Sequence, residues 1–332
     1  MHKFLVIAVG AVLLIALGMA IQSGWSSMRS TTETNTVATV SQNSTPSTAT
    51  TNKQPVSKKQ GSGQGPWQRD LKISTATTMA GLGQQVTTFE ERSGVPSLTV
   101  GTDGTLYAAF QWFPENDNSN FDKVAIKTST DNGLTWSEPT PINVSGLPEG
   151  YQRPFDPTLV TLADGRLRLY FTSSPEQQGP GTSRQTYSAV SLDSNYAFEY
   201  EYEGLSLSLA TDQAYDSGVA LLDNVWHMFT PGGEEFVGAN HATSTDGVAF
   251  TLVDQITNPA IDDKKQSWIG NLFGGNDGIG FVGGGSPIWY MTTSDGTTWS
   301  AIKNLAVNGG DPTVARALDG TYLLIFVSET VR

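Results

Sequence analysis

The sequence predicts an all-β protein, a β-propeller of five four-stranded antiparallel blades, and three observations predict it. A hairpin signature recurs five times from Val95 onward: a strand-length apolar run, a tight turn with Asp-Gly or an equivalent, and a second apolar run. A second signature, Ser/Thr-x-Asp-(x)-Gly followed by an aromatic residue, trails most of those hairpins. The composition suits short strands and many turns, with 35 glycines and 16 prolines in 332 residues and only 15% charged. There is no cysteine, so thiolate chemistry, zinc–cysteine sites and disulfide staples are excluded and the core must hold the fold alone.

Near the start of the chain Lys3 is followed by an apolar run from Phe4 to Ile21. A helix of that length rises about 27 Å, close to the hydrocarbon thickness of a bilayer. Residues 1–21 therefore read as a transmembrane anchor, or as a signal peptide cleaved after the small residues around Gly18-Met19-Ala20. Both readings place the remainder outside the cytoplasm. Residues 22–66 are rich in Ser, Thr, Gln, Asn and Gly with scattered lysines, a composition that cannot bury enough apolar surface to order itself. They are expected to be a disordered tether, which leaves residues 67–332 as the propeller. The first 66 residues carry a net charge of +4, so the remainder holds −17 of the overall −13. An acidic domain repels phosphate backbones, which argues against nucleic acid as a partner. The membrane is expected to be met only through the N-terminal segment.

The hairpins are VPSLTVGTDGTLYAAF from Val95, DPTLVTLADGRLRLYF from Asp156, DSGVALLDNVWHMF from Asp216, WIGNLFGGNDGIGFVG from Trp268 and DPTVARALDGTYLLIF from Asp311. The last has room for only two strands before Arg332. LKIST from Leu71 and QQVTTFEE from Gln84 supply its outer half, so the ring is expected to close by pairing N- and C-terminal strands. Six blades is the alternative if the long first repeat hides further strands.

The second signature is clearest at Ser129–Trp136 and Thr293–Trp299, keeps its turn and aromatic at Ser244–Phe250, and is degenerate at Ser191–Phe198. Asp and Ser/Thr side chains bond backbone N–H groups within such a turn, while Gly supplies the left-handed position. These turns resemble the Asp boxes (BNR repeats) of the sialidase-like propellers, and the resemblance extends over residues 67–332. They are structural turns and carry no catalysis.

Strand direction alternates within a blade, so the starts of the innermost strands and the loops after second strands share one end of the channel. Asp156, Asp216 and Asp311 each open an innermost strand there. One reading makes them strand-start caps; the other makes them a carboxylate cluster whose mutual repulsion raises at least one pKa and suits it to acid–base work. Asp-Pro at strand starts also resembles the five-bladed arabinanase-like glycosidases, which implies an aspartate base, a glutamate acid and a second aspartate that tunes the acid. Glu234 or Glu235, in a loop after a second strand, is the candidate acid. Tyr151, Arg153, Trp112, Trp268 and His241 are candidates for stacking on or clamping a sugar, or for packing between blades. PENDNSNFD from Pro114 has oxygen donors but lacks the twelve-residue calcium loop, so no metal ligand or cofactor is assigned, with calcium left open.

In the sialidases an Arg-Ile-Pro motif grips the substrate carboxylate before the first strand. This chain reads Gly94-Val95-Pro96 at that place, and glycine cannot supply a bidentate clamp, so exo-sialidase activity is not expected. The expectation is a glycoside hydrolase acting on an extracellular glycan. The alternative is a non-catalytic propeller that holds a carbohydrate or cell-surface protein.

Overall fold

The structure is a computed structural model that describes residues 65–175, 184–192, 196–207, 214–232, 238–257, 261, 266–275 and 278–332. The expected Ser/Thr-rich tether and the N-terminal apolar run lie outside the described residues, among which no helix is long and apolar enough to cross a membrane. Among the described residues strands dominate, and the helical elements are two single turns of 3-10 helix.

Five sheets form five blades, which settles the count against six. Strands β1 (Leu71–Ala76) and β2 (Thr87–Glu90) are held back for the last blade. Blade I runs outward from β3 (Ser93–Val100) through β4 (Leu106–Trp112) and β5 (Lys123–Ser129) to the short β6 (Thr140–Pro141). Next comes β7 (Asn143–Ser145), which the sequence did not reveal. It runs parallel along the outer edge of blade II, making that sheet five-stranded rather than four-stranded. Ile142 N–H still donates to the Val124 carbonyl of blade I at 3.0 Å, and the next residue, Asn143, donates to the Tyr196 carbonyl beside blade II at 3.4 Å, so the chain changes blades between them. Blade II proper is β8 (Phe155–Thr161), β9 (Leu167–Ser173), β10 (Gln185–Ser191) and β11 (Ala197–Leu207). Blade III is β12 (Gly218–Leu222), β13 (Val225–Pro231), β14 (Ala239–Ser244) and β15 (Thr251–Ile256). Blade IV is β16 (Gln266–Gly275), β17 (Gly278–Gly285), β18 (Trp289–Thr293) and β19 (Lys303–Asn304). Blade V takes β20 (Gly310–Arg316) and β21 (Tyr322–Val327) as its inner half and β1 and β2 as its outer half.

The closure is therefore two strands from each end of the propeller, with Leu71 opposite Val327 and Ile73 opposite Ile325. Arg332 secures it, bonding Asp70 at 2.6 Å and Glu91 at 2.5 Å, while Arg69 donates to the Ser328 carbonyl at 2.9 Å.

The core sits between blades. Successive residues of a strand point to opposite faces, so each middle strand feeds two interfaces. On β9, Leu169 and Phe171 face blade I while Tyr170 faces blade III. On β21, Leu323 and Ile325 face blade I while Leu324 and Phe326 face blade IV. This accounts for strands that read as continuous apolar runs rather than alternating ones.

Three Ser/Thr-x-Asp turns join third to fourth strands at the end opposite the inner-strand starts. In the first, Asp131 accepts from Thr135 N–H at 2.9 Å and Ser129 Oγ accepts from Gly133 N–H at 2.9 Å. Asp246 and Asp295 repeat the pattern with Val248 and Thr297, each at 2.8 Å. These bonds hold Asp131 down at about 2 and lower Asp246 and Asp295 too. The turns also lock blades together: Arg168 forks onto Glu201 and donates to the Asp246 carbonyl of blade III at 2.9 Å.

A Cβ on Gly133 would meet Leu323 Cδ2 of blade V at 2.3 Å, whereas one on Gly150 would meet nothing within 4 Å; both have positive φ, 87° and 77°. Gly150→Ala should cost about 1 kcal/mol from backbone strain alone, and Gly133→Ala about 1–3 kcal/mol more from overpacking. Urea unfolding of the two variants checks this, and equal losses would contradict it.

Candidate active site

Four of the five innermost strands show a register skip at their start, between Gly94 and Ser97, Phe155 and Thr158, Gln266 and Gly270, and Gly310 and Thr313. The residue at or just before the strand start is left-handed in four blades: Val95 at φ 47°, Asp156 at 51°, Asp216 at 55° and Asp311 at 44°. Pro follows three of them, which removes a ladder donor where the bulge needs none. Asp tolerates this backbone region better than most residues, and Val tolerates it poorly. Strain of this kind therefore recurs at one height of one channel in four of the five blades.

Asp156, Asp216 and Asp311 all line one cavity there, with Val95 and Ile269 from the two remaining blades. In ring order Asp156 and Asp216 are neighbours, and Val95 and Ile269 flank Asp311 on either side. The cavity volume is about 10 Å³, room for a single water molecule. Its floor is made by the next residues down. Asn271 Nδ2 lies 3.2 Å from Ser97 Oγ and 3.4 Å from Thr158 Oγ1. Thr158 Oγ1 donates to the Ser217 carbonyl at 2.6 Å. Ser97 Oγ accepts from Leu159 N–H at 2.9 Å, and Thr313 Oγ1 from Leu98 N–H at 3.0 Å. Side-chain bonds thus tie the inner strands together and close the channel beneath the carboxyls.

All three carboxyls hold protons far above the ordinary range. Loss of hydration pushes Asp156 up to about 7, aided by the Asp311 charge and opposed by the Thr172 hydroxyl and Arg184. Asp216 is raised well above its usual value by the same desolvation and by the charges of adjacent Asp156 and more distant Asp311, against Arg184. Asp311 rises to about 6, with Arg69 opposing. The three titrate as a set. The same charges act on Tyr215, whose phenol rises to about 12 through burial first and Asp216 next.

The other candidates from the sequence are placed differently. Glu234 and Glu235 lie outside the described residues. Trp268 is 3% exposed and packs on Trp289 at 5.2 Å and Phe281 at 5.8 Å between blades III and IV, so it offers no face to a sugar. It precedes the channel-lining Ile269 by one residue, and strand alternation sends it into the core. His241 is 2% exposed and stands in a chain: its Nδ1 meets Asp254 at 3.0 Å and its Nε2 meets His227 Nδ1 at 2.9 Å. It ties the outer strands of blade III together rather than facing the channel. Trp112 packs against the core between blades V and I, and Tyr151 stands edge-on to Tyr187 at 5.8 Å. Arg153 remains at the rim, held by Asp122 of blade I. In PENDNSNFD, Asp117 caps its own loop through Ser119 and Asn120, and no metal-binding cluster occurs among the described residues.

Sequence reasoning overlooked Arg69, Thr172, Tyr215 and Asn271. The hairpin register could have found Thr172 and Asn271. Thr172 lies opposite Phe155 in the first pair of strands, and Asn271 stands two residues beyond Ile269 on the same face.

A carboxyl that binds its proton more tightly when folded loses stability as pH rises from the unfolded value near 4 through the folded one near 6–7. Asp156→Asn should therefore match the wild type near pH 4 and exceed it by a few kcal/mol above pH 7, measured by urea unfolding across pH. A constant difference would contradict the raised titration. Burial and the neighbouring His241 hold His227 down at about 4. A histidine depressed on folding withdraws stability as pH falls from about 6.5 towards 4. In His227→Gln that acid loss should be smaller; an unchanged acid limb would contradict it.

No protein-family model matches the sequence, and no curated protein matches it. Solved structures share the fold. An α-L-arabinofuranosidase from Clostridium thermocellum superposes with a TM-score of 0.51 at 15% identity, covering 70% of this chain and 81% of that one. A thermostable family-43 glycoside hydrolase gives 0.47 at 9% identity over 72% and 94%. A β-xylosidase gives 0.48 at 12% over 71% and 91%. At such identities the likeness speaks to the five-bladed propeller alone.

Proposed function

We propose that the protein is a glycoside hydrolase whose reaction runs on Asp156, Asp216 and Asp311. The observation that carries this is the convergence of three carboxyls, each in a strained left-handed turn, on one cavity the size of a water molecule. Hydrolysis needs a carboxylate to take a proton from the attacking water and a carboxylic acid to give one to the departing oxygen. Asp311 is the base, set apart by Val95 and Ile269 and the most readily ionised of the three. Asp216 is the acid, kept protonated by loss of hydration first and by the charge of adjacent Asp156 next. Water adds to the anomeric carbon as its proton passes to Asp311. The glycosidic C–O bond breaks, and the leaving oxygen takes the proton of Asp216. In this reading Arg153, which Asp122 holds at the surface, and Tyr215, next to Asp216 in sequence, are the first residues assigned to sugar contact.

The propeller topology shared with an arabinofuranosidase supports pentosides as the first substrates to try, by analogy of fold. The Ser/Thr-x-Asp turns support a kinship with sialidase-like propellers, and glycine in place of the motif arginine weighs against sialosides. Delivery outside the cytoplasm, through an anchor or signal in residues 1–21 and a tether over 22–66, belongs to the same proposal and suits a glycan substrate.

The test is hydrolysis of arabinosides, xylosides, fructosides and sialosides by the full chain. One class should turn over, and Asp216→Asn should lower kcat roughly 10²–10⁴-fold while sugar binding persists. Undiminished hydrolysis by Asp216→Asn overturns the assignment. The small cavity favours one second reading, a sugar-binding propeller, and binding without turnover of any class would establish it.

A further inference from the structure

Val95 is a branched apolar residue in a turn that two other blades build around aspartate. Gly94-Val95-Pro96 of blade I corresponds to Phe155-Asp156-Pro157 of blade II and Gly310-Asp311-Pro312 of blade V. All three turns have proline after the left-handed residue and a register skip in the first pair of strands. Blade I therefore keeps the backbone and changes the side chain. At φ 47° a β-branched side chain crowds its own backbone, whereas aspartate, asparagine and glycine accept that region. Nothing in the turn itself asks for a branched residue, so the reason lies in what the side chain meets. Val95 is half-buried and lines the cavity, standing in ring order between Asp311 of blade V and Asp156 of blade II.

We infer that Val95 is a positioning residue, an apolar divider that keeps water and hydrogen-bond donors from the flank of Asp311 and parts that carboxyl from Asp156. Backbone strain persists where the surrounding structure enforces it, and here both neighbouring blades do so. Two residues on, Ser97 Oγ accepts from Leu159 N–H of blade II at 2.9 Å. Leu98 N–H donates to Thr313 Oγ1 of blade V at 3.0 Å. An aspartate at position 95 would set a fourth like charge between two carboxyls, and asparagine or threonine would offer them a donor. Valine does neither, in a space with room for one water. Ile269 takes the corresponding place between Asp216 and Asp311. The titratable and charged groups that face Asp311 and Asp156 are Asp216, Arg184, Arg69 and Tyr215, all common to wild type and variants. The inference rests on the hydrolase reading only for its consequence in catalysis, where a poorly hydrated Asp311 is the stronger base.

The experiment is a ¹³C-carboxyl NMR titration of the full chain and of Val95→Thr, Val95→Asn and Val95→Ile, with urea unfolding of each at pH 3. At that pH most aspartates hold their protons in both states, so stability reports the backbone rather than charge. Threonine keeps the shape and the strain of valine and adds a hydroxyl. It should lower the Asp311 midpoint by about half a pH unit or more, move Asp156 the same way, and bring no gain in stability. Asparagine, which accepts the left-handed region, should lower the same midpoints and raise the urea midpoint. Isoleucine, branched and apolar, should leave both carboxyl midpoints in place. Unmoved midpoints in both the threonine and asparagine variants overturn the inference, as does an isoleucine variant that shifts as far as threonine. An asparagine variant no more resistant to urea than the wild type also contradicts it, since the turn would then carry no strain on behalf of the cavity. If a substrate has been found, the acid limb of the kcat/KM profile should move down with Asp311 in the threonine variant. If the wild type turns over no glycoside while the midpoint shifts appear, the hydrolase reading fails and the positioning role stands.

Discussion

In a propeller the innermost strands all begin at one end of one axis, so whatever opens each strand shares a small, poorly hydrated space with its counterparts from the other blades. Every notable property of this molecule follows from that constraint. Three of the five positions are aspartate, and the geometry of ring closure leaves them nowhere else to go. Loss of hydration raises all three titrations, and the charges of the other carboxylates raise those of Asp156 and Asp216 further.

Such a cluster opposes folding, and the rest of the structure shows what offsets it. The interfaces between blades are dry and continuous, with alternate residues of the middle strands buried on both sides. Blade V is sealed by strands from both ends of the propeller and pinned by Arg332 on Asp70 and Glu91. The opposite end is held by Asp131, Asp246 and Asp295, whose carboxylates satisfy backbone donors and so keep their charge to low pH. The two ends of the channel thus use the same residue type in opposite ways. Hydrogen-bond donors surround the aspartates of the turns, whereas those of the inner strands share one poorly hydrated cavity.

Much of this was legible in the sequence because hairpin turns and strand-length runs are local signals. The five inner strands, the closure through LKIST and QVTTFEE, and the approach of Asp156, Asp216 and Asp311 all follow from counting strands and alternating their direction. Residues whose role depends on parity or on a partner in another blade were not legible. Trp268 was read by its nearness to a strand start, but it precedes Ile269 by one residue and points into the core. His241 was read as a possible sugar contact, whereas its partners Asp254 and His227 come from strands on either side. Thr172 and Asn271 carry no motif, and their meaning appears only when the inner strands are set side by side. The parallel strand β7 depends on where the chain leaves blade I, between Ile142 and Asn143, and no local signal marks that point.

The central claim is that the channel aspartates retain protons at neutral pH and divide them unequally. Neutron diffraction from crystals held near neutral pD would locate those protons directly. A deuteron on the Asp216 carboxyl, with none on Asp311, is the expected result. Three fully ionised carboxylates around the cavity would contradict it, and would leave the aspartates as strand-start caps with no acid to offer.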